Sequence, residues 1–90
     1  MERLKEIDER LAKIQCAENT IEELEKLLYE ALAIAHKENM RYLLRNLQLT
    51  IEKHLSSLLE NKNRPKLKIK YFAETVSNFR TDLRSEILSN

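Results

Sequence analysis

Ile14-Gln15-Cys16-Ala17-Glu18-Asn19-Thr20-Ile21 decides how many helices this chain makes. Upstream, Leu4, Ile7, Leu11 and Ile14 fall three and four apart, the spacing of one helical face. Downstream, Ile21, Leu24, Leu28, Ala31 and Ala35 repeat that spacing, with Leu27 and Leu32 widening the stripe. Between Ile14 and Ile21 the phase slips. A strict heptad would seat Glu18 and Glu25 in the seam, whereas Ala17 keeps a 3.6-residue face unbroken. Thr20 and Glu23 have the spacing of a capping box, which would restart a helix at Ile21. Cys16-Ala17-Glu18, however, contains no turn former. The reading adopted is one continuous helix over about 2–36, with a restart near 17–20 as the alternative.

Around that stretch the composition leaves only helix. The 90 residues contain no glycine and one proline, Pro65. Tight hairpins, phosphate-cradling loops and glycine-capped turns all lean on glycine's access to positive φ, so their absence is expected. Hydrophobic residues at 42% and charged residues at 34% suit long amphipathic helices forming one small domain. No run approaches the roughly 18 apolar residues that a membrane span requires. Met1-Glu2-Arg3-Leu4-Lys5-Glu6 is too charged for a signal peptide, and Cys16 has no partner for an intramolecular disulfide. Both observations lead us to expect a cytoplasmic or nuclear protein.

A turn is expected around His36-Lys37-Glu38-Asn39, because Asn39 tolerates the left-handed conformation that ends many helices. Met40, Leu43, Leu44, Leu47, Ile51, Leu55, Leu58 and Leu59 then define a second helix over about 40–60. Without that turn, residues 2–61 would form one rod of about 90 Å. Glu60-Asn61-Lys62-Asn63-Arg64-Pro65 reads as a break, with Asn63 or Arg64 as cap and proline in the first turn. Ile69, Phe72, Val76, Phe79, Leu83 and Ile87 mark a third helix over about 65–88.

These elements predict an all-α fold: an antiparallel three-helix bundle of residues 1–90, its long first helix extending as a coiled-coil arm. On that arm Leu4, Ile7, Leu11 and Ile14 would overhang the bundle. Large aliphatic side chains gain roughly 1.5–3 kcal/mol each on full burial. The stripe is therefore expected to dock against a protein partner or a second copy.

Charge is asymmetric although the net is +1. Residues 1–38 carry ten acids and six bases, and residues 39–90 five acids and ten bases. Such halves attract one another within a fold and steer self-association between copies. Lys62, Arg64, Lys66, Lys68 and Lys70 crowd five cations into nine residues without an acid. Clusters of this kind neutralise phosphates or meet acidic partners. They also oppose the dipole at a helix start. Of the neighbouring aromatics, Phe72 lies on the core stripe and Tyr71 is left for stacking.

Catalytic chemistry finds no constellation here. His36, His54 and Cys16 lie far apart without zinc-site spacing, so neither a metal nor a cofactor is expected. Cys16 reads as a small flanking apolar residue, His54 as a polar-edge residue and His36 as a cation at a helix C-terminus. Leu4-Lys5-Glu6-Ile7-Asp8-Glu9-Arg10-Leu11 resembles the start of helical chorismate mutases. Lys5 stands where that family has arginine, however, and no glutamine follows Gln48 to complete its site. Tyr42-Leu43, Thr50 and Glu52 resemble the middle helix of BAG domains, three-helix co-chaperone modules. The paired basic residues of that family's last helix are missing, with Lys68 and Lys70 in their region. Glu9-Arg10-Leu11, Ile14 and Ile21 resemble the start of small Mediator head subunits, and the helical N-terminal domains of SNARE proteins share the architecture. The chain is assigned to none of these families. The expectation is a non-enzymatic protein–protein interaction module, either an adaptor, a co-chaperone-like module or a subunit of a helical assembly. The rival reading is a nucleic-acid or anionic-surface binder using residues 62–70. No small-molecule substrate is inferred.

Overall fold

A computed structural model describes residues 2–89. Among them the chain forms four helices: α1 (Glu2–Lys13), α2 (Ile21–Lys37), α3 (Arg41–Glu60) and α4 (Pro65–Ser89). A 3-10 turn, Glu18–Thr20, precedes α2. The continuous first helix expected from the sequence is therefore two helices. The arm it would have formed folds back as α1.

The break is held by backbone and hydroxyl chemistry rather than by glycine or proline. Ala17 is extended at φ −152° and ψ 166°. Its N–H donates to the Thr20 hydroxyl oxygen at 3.0 Å, while Thr20 N–H donates to the Ala17 carbonyl at 3.1 Å. The Thr20 hydroxyl also lies 2.7 Å from the Gln15 carbonyl and 3.1 Å from that of Ala17. Thr20 precedes α2, as its spacing to Glu23 implied, but its side chain makes no capping bond to the helix. It ties down the linker instead.

Asn39 ends α2 at φ 54°, the one positive φ among the described residues. Asn39 N–H bonds the His36 carbonyl at 3.2 Å and Met40 N–H reaches back to Ala35 at 2.9 Å. Those two bonds are the Schellman pair, which satisfies carbonyls orphaned at the helix end. Residues 61–64 turn the chain from α3 to α4. There Asn61 is buried, its Nδ2 donating to the Ser57 carbonyl at 3.0 Å. Arg64, not Asn63, takes the cap position of α4, its carbonyl receiving Lys68 N–H at 2.9 Å. Pro65 follows at the first helical position, where its missing N–H costs nothing.

The helices run up-down-up-down, each packed on its sequence neighbours, and α1 closes the ring against α4. Cross-pairs fix the directions. Arg3 bonds Glu30 and Arg10 bonds Glu23 between antiparallel α1 and α2. Asp8 meets Arg80 at 2.9 Å between α1 and α4. One core joins all four helices: Leu4, Ile7 and Leu11 from α1, Leu24 and Leu28 from α2, Leu43 and Leu47 from α3, Phe72, Phe79 and Leu83 from α4. With Leu4 and Ile7 at 0% exposure and Leu11 at 3%, the stripe expected to overhang is fully consumed inside the domain. Ile14 packs partly buried against the same core. The physical reason is the break at 14–20, which returns α1 to the bundle and gives its apolar face a recipient within the chain.

Helix length grows along the chain, from 12 residues in α1 through 17 and 20 to 25 in α4. Ala12 of α1 borders the same surface hollow as Ala73, so α4 runs on past α1 by about two turns. The upper ends of α3 and α4 thus project past α1 as a helical hairpin, with the start of α2 alongside through Glu25 and His54. The linker covers it on one side through an ion pair between Glu18 and Lys68 at 3.4 Å.

Candidate functional site

The hairpin end gathers cations and apolar groups that the core does not use, while Tyr29, Tyr42 and Leu88 are exposed singly elsewhere. Lys62, Arg64, Lys66 and Lys70 are exposed and form no ion pair among the described residues. Lys68, the fifth member of the cluster, is half-buried and paired with Glu18. The structure therefore brings four free cations to one end of the molecule and commits the fifth to the fold.

Apolar groups lie open on the same end. Leu59 is 76% exposed, Leu55 nearly half and Tyr71 39%, and Leu49, midway along α3, is also nearly half exposed. On the outer side of the α3–α4 pair a groove of about 780 Å³ is lined by Leu49, Lys53, Glu60, Arg64, Leu67 and Tyr71, among others. Helical periodicity explains its chemistry. Leu49, Lys53, Ser56 and Glu60 recur at four, three and four residues on α3, opposite the buried row of Leu47, Ile51 and His54. Leu67 and Tyr71 stand one turn apart on α4. The groove thus has an apolar strip flanked by both signs of charge. Pattern reading missed it because Leu49 and Leu67 belong to no long stripe. The signal available was that each pairs with a neighbour across a helical hairpin, which requires the topology first.

Further down α3, His54 departs from its expected place at a polar edge. It is buried at 2% exposure, with Nε2 2.9 Å from Glu25 Oε2 on α2 and its ring centroid 4.7 Å from that of Phe72 on α4. Burial is tolerated because the ring nitrogen finds a carboxylate partner. His36 is exposed in the last turn of α2, where a cation suits the dipole. Cys16 packs half-buried against the core, and burial pushes its thiol above the ordinary range, away from thiolate reactivity. No group of three or more His, Cys, Asp or Glu side chains able to hold a metal occurs among the described residues. Likewise no described helix is long and apolar enough to cross a membrane.

Fold and surface together define an all-helical domain, an up-down four-helix bundle with a basic, partly apolar hairpin end. Comparison with protein-family models, curated proteins and solved structures finds no match for the chain.

Proposed function

We propose that the chain is a protein–protein interaction module, and that its docking surface is the α3–α4 hairpin end. The reading rests on one observation: exposed Leu55, Leu59 and Tyr71, with Leu49 in the groove below them, lie with four unpaired cations, whereas Tyr42 and Leu88, exposed elsewhere, have no such cluster of unpaired cations in one stretch of chain beside them. Apolar side chains left in water beside like charges are stabilised by a partner that covers the former and neutralises the latter. A protein segment with apolar residues and acidic flanks has that chemistry. The stripe of Leu4, Ile7, Leu11 and Ile14 takes no part in this reading.

Photo-crosslinking tests it. A photoreactive residue at position 59 or 49 should trap a discrete protein from cytosol, and one at exposed position 22 on α2 should not. Equal trapping at all three positions, or none, would reject the surface. The free cations also support a second reading, binding of nucleic acid or another anionic surface. A salt titration separates the two, because phosphate contacts weaken steeply with salt whereas apolar docking changes little.

A further inference from the structure

A second surface, independent of the hairpin end, lies along the seam between α1 and α4. There a hollow of about 230 Å³ opens where both helices carry small residues, Ala12 on α1 and Ala73 on α4. Larger side chains at either position would fill it. Its polar side comes from α4 alone: Ser77, Arg80, Thr81 and Arg84, spaced three and four apart on one face. The lining holds two guanidiniums and two hydroxyls and no carboxylate. The α3–α4 groove, by contrast, includes Glu52 and Glu60, and the hollow next along the seam includes Asp8 and Glu9.

The donors differ in how they are held. Arg80 Nε donates to Asp8 Oδ1 at 2.9 Å, and that carboxylate is 14% exposed. The bond fixes the guanidinium plane, while its remaining N–H groups have no acceptor among the described residues. Asp8 offsets the charge of Arg80, so Arg84 brings the net positive charge to the hollow. Arg84 forms no ion pair among the described residues, although it also borders the Asp8 and Glu9 hollow, whose carboxylates compete for it. Thr81 already donates its hydroxyl to the Ser77 carbonyl at 3.1 Å, and the Ser77 hydroxyl makes no bond among the described residues.

We propose that this hollow binds a phosphate-class oxyanion, held by the guanidiniums of Arg80 and Arg84 and the hydroxyl of Ser77. Guanidinium forks match the oxygens of a phosphate in pairs, which an ammonium cannot do. One guanidinium positioned in advance lowers the ordering cost of the bound state. The volume exceeds that of the bare ion, so a small organic substituent on the phosphate is accommodated.

The test is an amide NMR titration of the intact chain with sodium phosphate up to roughly 50 mM at constant ionic strength, affinities in this range suiting an open site. A parallel titration uses glycerol 3-phosphate, and sodium chloride is the control. Saturable shifts at Ser77, Arg80, Thr81 and Arg84 with either phosphate, and not with chloride, are expected. The tighter of the two identifies free phosphate or a phosphoryl group as the source. Arg84→Gln, an exposed change that leaves the core intact, should weaken binding about tenfold or more. The double variant Lys66→Gln/Lys70→Gln should leave it within about twofold. Shifts centred on residues 62–70, equal response to chloride, no saturable response, or unchanged affinity in Arg84→Gln would each overturn the assignment.

Discussion

His54 touches two helices besides its own, Glu25 of α2 through a 2.9 Å contact and Phe72 of α4 through a tilted ring contact. Truncating it would open a void and strip Glu25, whose side chain is 24% exposed, of its partner. His54→Ala is accordingly expected to cost about 2–4 kcal/mol in a urea titration, the sum of a cavity and an orphaned acceptor. A loss below about 1 kcal/mol would show that the site collapses freely. Asp82 makes the opposite kind of contribution. Burial raises its carboxyl above the ordinary range. The folded chain then holds that proton more tightly than the unfolded chain, so stability falls as pH rises from the unfolded pKa through the folded one. Asp82→Asn should melt at a higher temperature than the parent at pH 7, and the advantage should fade toward pH 3. Glu30 carries the reverse sign. Its hydrogen bond from Arg3 lowers its carboxyl, so its contribution is present above the unfolded pKa and is lost as pH falls through the folded one. An advantage for Asp82→Asn that persisted at pH 3 would mean that the carboxylate charge is not its cause.

At the level of the element, the linker 14–20 separates what the amino-acid pattern could show from what it could not. Apolar spacing identified the buried faces of α1, α2 and α4, because periodicity reports which side is buried. On α3 it held for Leu43, Leu47 and Ile51 but failed near the end, where Leu55 and Leu59 are exposed and His54 takes the buried position. Periodicity could not report that the faces of α1 and α2 are turned against each other. The break uses Thr20, whose hydroxyl binds Ala17 N–H and lies against the Gln15 carbonyl, and Cys16-Ala17-Glu18 contains no turn former, Asn19 being the one turn-favouring residue in 15–19. Asn39 did announce a turn, because few side chains accept φ near +54°. Asn61 gave a weaker sign: its burial under the α3–α4 turn follows from a bond to Ser57, one helical turn back. The open groove and the α1–α4 hollow were illegible for a different reason. Each is composed of residues from two helices: the groove depends on how the turn at 61–64 sets α3 against α4, and the hollow on the break at 14–20 that returns α1 to α4. Thr20→Ala removes the linker's hydroxyl and should lower stability by about 1 kcal/mol, with Thr20→Ser recovering most of it. Equal stability of all three chains would mean that the backbone bonds alone hold the break.

Across the whole molecule the acidic first half and basic second half do meet, though sparingly. Asp8 with Arg80 and Glu18 with Lys68 cross between them, while Arg3 with Glu30 and Arg10 with Glu23 stay within the first half. Two lysines only two residues apart, on opposite sides of the start of α4, therefore predict different outcomes. Lys66→Glu removes an unpaired cation from a helix start and should leave stability unchanged or raise it by up to about 1 kcal/mol. Lys68→Glu sets two carboxylates together at the linker and should lower the melting temperature at low salt, the loss shrinking as salt is added. Identical behaviour of the two variants would remove the distinction between a free and a committed cation. The stepwise lengthening of the helices also has a dynamic consequence. Around Phe79 and Leu83 each helix has neighbours on both sides, whereas near Asn61 α1 no longer reaches the hairpin, which keeps only the linker and the start of α2 beside it. Opening of local structure follows the density of buried contacts. Amides of 57–68 should therefore exchange with deuterium through partial openings, well before those of 76–83, which await global unfolding. Exchange in that order would mark a firm base and a yielding crown, one able to reshape around a visitor while the base stays folded.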